Sequence, residues 1–475
     1  MKNEDKIRVL VPVSAPDLDA IFKNKRWADD ARALFHYMHR EKRIMAINRN
    51  YRGGLDRDSG WVSVNALAMK KGLGLSDRLK PIRDKLVEQG CLEVKLRKNG
   101  QKAYTNGMYS MCYRVRIPSK INGRKYRQEF ITHDKTLANI RTFYSKNYKQ
   151  QRKEFLDKME WYRPNLELAE KMYLSDAALD FAEQQSPKDT EKLLGSIATF
   201  NSATGRFIST CKFAGRIHSF AGGLDKKLRP FVRVQGQSDQ LVCVDVNSAQ
   251  VYLLATMLNH PYHLIDLVPE FKPILHKITK RQQDPSTRTL LNDCLEGEFY
   301  ETLMDASGIA SREKVKTRVF QHILFSSAAN HDSKKKKKKK VQEERRQFRD
   351  HFKIPYKSPY KALTEIKGTQ LRTLPFMEEL TKNKDKPRMY RCLNALCQRL
   401  EVAVFLNMIT KRLNAVGVIS LTVHDSWIFK ASQLQTFEDV FNQVFEELAI
   451  KPPKLHIDYL NCATDIIEPQ KTEEK

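Results

Sequence analysis

The chain has 475 residues, enough for two or three domains and a substantial buried core. Lysine and arginine total 84 against 56 acids, a formal charge of +28 that opposes compaction by self-repulsion and suits a polyanionic partner. Hydrophobic residues at 41% exclude wholesale disorder, and no uninterrupted apolar run approaches the roughly 18 residues of a membrane helix.

The opening stretch MKNEDKIRVLVPV carries acids early and lacks a small-residue cleavage site, so it makes a poor signal peptide. Eight scattered cysteines (Cys91, Cys112, Cys211, Cys243, Cys294, Cys392, Cys397, Cys462) form no CxxC pair and have no histidines at zinc spacing. A reducing, cytoplasmic setting with free thiols is expected, with no membrane partner.

Residues 1–130 read as a small mixed unit. Trp27–His39 places Trp27, Ala31, Leu34, Phe35 and Met38 at helical spacing. Ser63–Lys71 and Ser76–Gln89 predict two further helices, the second capped by Ser76 and stopped at Gly90. Leu92–Leu96 and Met111–Ile117 predict two strands joined by the polar turn Arg97–Gly107. Three short helices and a basic hairpin outline a winged helix, a module suited to nucleic acid. Residues 131–203 are charged and helix-forming and predict a helical arm with one basic side.

Beyond position 204 the composition turns apolar and carries the chemistry. Leu241–Asp245 is a buried-strand run ending in a carboxylate, followed at once by the helix-patterned SAQVYLLATML. Gly417–Lys430 predicts two short strands with His424 and Asp425 at the tip between them. Two carboxylates on neighbouring strand ends suit a pair of divalent ions roughly 3.5–4 Å apart, the arrangement used for in-line phosphoryl displacement. In Ser311–Phe325, Arg312, Lys316 and Phe320 are spaced by four and share one helical face. Cations there suit a triphosphate. Lys334–Lys340, seven consecutive lysines, predicts an exposed loop or helix end.

The ordered set resembles the core of family A DNA polymerases. VDVNSAQVYLLA resembles that family's motif A, with Asp245 at the metal-binding aspartate. LTVHDSWIF resembles motif C, with Asp425 at the second aspartate and His424 before it. SREKVKTRVFQHILF resembles the fingers motif, with Arg312 and Lys316 at the triphosphate-binding cations. Thr204-Gly205-Arg206-Phe207 resembles the family's TGRL, and Gly297–Tyr300 sits where the family has a GxDIY-like segment. Asn394–Ile409 resembles the helix before motif C, with Asn394, Gln398 and Arg399 as its polar face.

There are departures. Gln250 stands where the family has its sugar-selecting glutamate, and Ser426 replaces the last acid of motif C. The fingers tyrosine falls at Leu324 or Phe325, depending on register. HDS also occurs in single-subunit phage-type RNA polymerases, which are more distantly similar. Nothing before Thr204 resembles a proofreading exonuclease.

The resemblance implies an α+β (mixed) right-hand polymerase: an antiparallel palm sheet (204–260 and about 390–462), helical fingers (about 261–389) and a helical thumb (131–203), after the winged-helix-like 1–130. Palm and fingers together span 204–475. It implies Mg2+ (two ions, Mn2+ as substitute) held by Asp245 and Asp425, with nucleotide contacts from Arg312, Lys316, Phe320 and Gln250. Nucleic-acid contacts would come from Arg206, Arg216, Asn394, Gln398, Arg399 and His424. Expected partners are a DNA primer-template and nucleoside triphosphates, with a helicase, primase or initiator alongside in phage, plasmid or mobile-element replication. The alternatives are a single-subunit RNA polymerase or primase, and an inactive DNA-binding replication initiator.

Overall fold

A computed structural model describes residues 7–460 other than 14, 23, 48–61, 65–73, 76, 97–110, 116–125, 202–205, 212–213, 326–335 and 370–390. The chain is mixed, with many helices and small antiparallel sheets. It divides into two compact units, one made of 1–209, 218–238 and 460–475, the other of 210–217 and 239–459. The segments 1–130 and 131–203 therefore share the first unit, together with 218–238. The second unit holds most of 204–475.

In the first unit, β1 (Ile7–Pro12) pairs antiparallel with a strand at Tyr126–Ile131, and α1 (Lys25–Ile47) packs on it. Ala31, Leu34, Phe35 and Met38 of α1 are buried, as their spacing predicts. The helix expected from Ser63 opens instead in a strand, β2 (Val62–Val64), where two β-branched valines flank a serine and favour the extended chain; the rest of that expectation, and the cap at Ser76, lie outside the described residues. Next come α2 (Leu79–Glu88), β3 (Leu92–Val94) and β4 (Met111–Val115). Gly90, at φ 68°, lets the chain leave α2 in the left-handed conformation that a side chain would resist. The hairpin forms as expected, Leu92 opposite Val115 and Val94 opposite Tyr113, while β2 joins its other edge to give the order β2-β4-β3. The turn 97–107 lies outside the described residues.

The second unit is built on a four-stranded antiparallel sheet. Its central pair is β6 (Leu241–Val246) and β8 (Ser426–Lys430), flanked by β7 (Leu421–Val423) and β9 (Leu455–Leu460), counting Tyr126–Ile131 as β5. Leu241, Val242, Cys243 and Val244 are all buried, which explains why β6 reads as a continuous apolar run. Behind it lies α3 (Ala249–Asn259), buried at every residue except Gln250. The described residues of 261–369 are mostly helical, including α4 (Pro285–Glu296), α5 (Phe299–Ser307), α6 (Arg312–Arg318), α7 (Lys336–Lys353) and α8 (Lys357–Lys367). The lysine run enters α7 at Lys336; its side chains are outside the described set.

α9 (Arg391–Glu401) continues through a π-helical stretch, Val402–Thr410, into Lys411–Ala415. The segment Cys392–Ala415 is long and apolar enough to cross a membrane by length and composition, although its apolar runs are short and broken by polar residues; 61% of its most apolar window is buried within the protein. α10 (Leu434–Glu447) covers the sheet with Phe437, Phe441 and Phe445. Cys91, Cys211, Cys243, Cys294, Cys392 and Cys397 are free thiols.

Candidate active site

Asp245 lies on β6 directly opposite Ser426 of β8, and Asp425 is the residue before Ser426. The Val246 amide donates to the Asp425 carbonyl at 3.1 Å, so the two aspartates sit on hydrogen-bonded neighbouring strand ends. The tip between β7 and β8 is tight. His424 takes φ 58°, and the Ser426 hydroxyl donates to the Val423 carbonyl at 2.9 Å. His424 itself is exposed.

At this corner the carboxyls of Asp245, Asp425 and Glu401 meet the guanidinium of Arg216. Loss of water around Asp425 raises its carboxyl pKa most, with Glu401 and then Asp245 adding repulsion, so it is pushed up to about 7. Glu401 ends α9, where the α-helix becomes π-helical, and is buried at 2% exposed. It forms an ion pair with Arg216 and accepts a hydrogen bond from Gln250 Nε2 at 3.0 Å. Burial raises the Glu401 pKa, and Arg216 and Gln250 oppose that shift. Gly215 at φ 74° turns the chain so that Arg216 meets the start of the π-helical stretch. A cavity of about 20 Å³, close to the room one water needs, is lined by Arg216, Glu401, Thr422 and His424 among others.

The cationic helix approaches through Tyr300. Its buried phenol lies close to Ser248, which takes φ 53° at the start of α3. The same phenol is close enough to Asp425 for that carboxylate to raise its pKa. The Arg312 guanidinium lies 4.8 Å over the Tyr300 ring and donates to Glu301 at 2.8 Å. Lys316 is one turn further along α6 and half-buried. Phe320 lies in a second π-helical stretch, Val319–Leu324, and meets Phe325 with ring centroids 5.4 Å apart. Of the two candidate positions for the fingers tyrosine, Leu324 is core and Phe325 is the half-buried residue touching Phe320. π-Helical insertions are frequent at functional sites.

Asp245, Asp425, His424, Gln250 and Arg216 are thus brought together, with Arg312 linked to them through Tyr300 and Ser248. Asn394 and Gln398 are half-buried on α9, and Asn394 Oδ1 is a buried acceptor with no partner among the described residues. Arg399 is paired with Glu270 at 2.8 Å. Arg206 belongs to the first unit, where its guanidinium reaches the Glu170 carbonyl at 2.5 Å and lies 5.3 Å over Phe220. Two residues of the corner, Glu401 and Tyr300, were not among the expected site residues. The signal for Glu401 is a lone acid inside the apolar LEVAVFL, a position that costs free energy unless the charge is paired.

No family model matches the sequence, and no curated protein matches it. A similar solved structure is the POL domain of Pol1 from M. smegmatis in complex with DNA primer-template and dNTP. The similarity is 14% identity with a TM-score of 0.34, covering 60% of this chain and 55% of that one. The chain therefore spans little more than half the length of that polymerase domain's chain.

The donor set suits magnesium. Among the described residues no group of three or more acidic, histidine or cysteine side chains forms a ready metal cage. Mg2+ prefers one or two carboxylates completed by substrate phosphates and water, and two adjacent aspartates meet that preference. Glu401 is committed to Arg216 and Gln250.

Proposed function

We propose that the second unit is a template-directed DNA polymerase of the family A type, adding deoxynucleotides to a primer 3′ end. The observation that carries this reading is the pair Asp245 and Asp425 on adjoining strand ends, where Asp245 and Glu401 raise the Asp425 pKa. Divalent ions bound there would lower the pKa of the 3′-hydroxyl and neutralise charge on the leaving pyrophosphate. Arg312 and Lys316 bind the triphosphate, and Phe320 packs beside base or sugar. Glu301 holds Arg312 until phosphate oxygens replace it. Alignment and electrostatics account for most of the rate, because phosphoryl transfer demands little covalent chemistry of the protein.

Two kinetic effects follow for Arg312. Arg312→Ala should raise the nucleotide KM about tenfold, the size of one lost charge-assisted hydrogen bond. Glu301→Ala removes a competitor for the same guanidinium and should lower KM about two- to threefold, since exposed pairs are weak. Steady-state extension measures both, and opposite directions are the signature.

For the first unit we propose nucleic-acid binding by a winged-helix-like module. Supporting this are α2, the hairpin after it and the order β2-β4-β3. With a formal charge of +28, DNA affinity should fall roughly 10³-fold between about 50 and 200 mM salt through counterion release. A flat salt profile in a filter-binding assay would remove phosphate contacts from the account.

Radiolabelled nucleotide extension on a primed DNA template tests the reading. Template-complementary incorporation of deoxynucleotides supports it. Exclusive use of ribonucleotides promotes an RNA polymerase or primase, and DNA binding without any incorporation promotes an inactive initiator.

A further inference from the structure

We infer that Lys367 and Arg349 are positioning residues: from two neighbouring helices they hold the end of the helix that carries Arg312 and Lys316 in its π-helical register, which brings Phe325 rather than Leu324 beside Phe320. Geometry carries the register, and the consequence for the nucleotide rests on the polymerase reading above.

In a plain α-helix residues four apart share a face, so the place after Arg312, Lys316 and Phe320 belongs to Leu324. The π-helical stretch Val319–Leu324 adds one residue to that turn. The Phe325 amide donates to the Phe320 carbonyl, five residues back, at 2.9 Å, and the two rings lie 5.4 Å apart. Leu324 is sent into the core at 1% exposed, while Phe325 stays half-buried. One inserted residue thus exchanges an aliphatic side chain for an aromatic one beside Phe320.

The last carbonyls of a helix have no donor within it, and buried ones must find a donor elsewhere. Arg349 of α7 donates from Nε to the His322 carbonyl at 3.2 Å. Lys367, the last residue of α8, donates from Nζ to the Ile323 carbonyl. Both cations are only 5% exposed. A charge in that setting is unfavourable. Burial lowers the Lys367 pKa to about 7, with Arg349 adding repulsion, and burial lowers the Arg349 pKa as well. Two buried donors on consecutive carbonyls fix one rotational setting of the turn. A return to the α register would swing those carbonyls by about 100° around the axis, away from both donors.

The register is read without activity. Leu324→Cys and Phe325→Cys, each made in the full chain, are treated with a thiol reagent, and the peptide holding the introduced cysteine is followed by mass spectrometry. Position 325 should react and position 324 should be protected. Adding Lys367→Met or Arg349→Met, which keep a long side chain and remove the donor, should abolish the difference, and Arg349→Lys should restore it. Lys367→Gln, too short to reach the carbonyl, serves where a methionine variant does not fold. A difference that survives in a folded variant overturns the inference, as does faster reaction at 324 in the otherwise unaltered chain. Extension kinetics test the consequence. Lys367→Met should raise the nucleotide KM about fivefold, the size of one aromatic contact, with kcat little changed. Phe325→Ala should do the same, and the double variant should be no worse than Phe325→Ala alone, because the lysine acts through the ring. Multiplied effects would overturn that role. Absence of incorporation from any nucleotide by the wild type would instead defeat the polymerase reading, and the thiol rates would still decide the register.

Discussion

Replacing either Asp245 or Asp425 by alanine should reduce nucleotide incorporation by about 10³-fold or more, roughly 4 kcal/mol of transition-state stabilisation. Asp245 lies opposite Ser426, the residue after Asp425, and in the proposed centre each carboxylate is a separate ligand, so neither can substitute for its neighbour. Asparagine should be almost as damaging, because the amide keeps the shape and loses the charge. DNA affinity should change little, since both variants remove negative charge and no phosphate contact. Stability provides the control. The Asp425 carboxyl lies near pH 7, well above its ordinary value, because of burial, Glu401 and Asp245. In the absence of metal its ionised form therefore costs folding free energy, and that cost grows as pH rises toward 7 and then levels off. Asp425→Asn should raise Tm, more at pH 8 than at pH 5, while abolishing extension. A variant inactive because it is unfolded would show the opposite shift.

The second large effect concerns Trp427, which fastens the sheet to the π-helical stretch. It is 1% exposed, and its Nε1 donates to Thr410 Oγ1 at 2.9 Å. Its ring meets Phe405 at 5.8 Å, Phe437 at 5.2 Å and Phe441 at 6.4 Å, joining β8 to the helices on either side. Trp427→Ala should destabilise the second unit by about 3–5 kcal/mol through lost burial and the cavity left behind. Trp427→Phe keeps most of the packing and should cost about 1–2 kcal/mol, including the hydrogen bond. Urea unfolding of both variants separates the two contributions. Trp427 is only two residues from Asp425, so even the milder variant should lower incorporation by loosening the tip that aims the carboxylate.

What the sequence made legible was local. The apolar run of Leu241–Asp245, the alternation about His424 and Asp425, and the four-residue spacing of Arg312 and Lys316 each fixed an element. The meeting of the two aspartates then followed from pairing those strands. The helix expected over Ser63–Lys71 opens in the strand Val62–Val64 because the period of a nine-residue window cannot separate a short strand from a helix start. Glu401 stayed hidden for a different reason. Its partners Arg216 and Gln250 are 185 and 151 residues away, and no local pattern encodes a contact at such separation. The Arg312–Tyr300–Ser248 connection is likewise tertiary. Arg206 shows the converse, a motif-like arginine whose guanidinium is occupied by the Glu170 carbonyl and the Phe220 ring.

In the proposed reaction Asp245 and Asp425 together hold the divalent ions for nucleotidyl transfer. The most direct test of this role is electron paramagnetic resonance of added Mn2+, with the chain bound to a dideoxy-terminated primer-template and the matching nucleotide. Two Mn2+ per wild-type chain with an exchange-coupled spectrum are expected, as for ions about 4 Å apart, and that coupled signal should be lost in Asp245→Asn and Asp425→Asn. An identical coupled signal in those variants, or its absence from the wild type under conditions where the nucleotide binds, would contradict it.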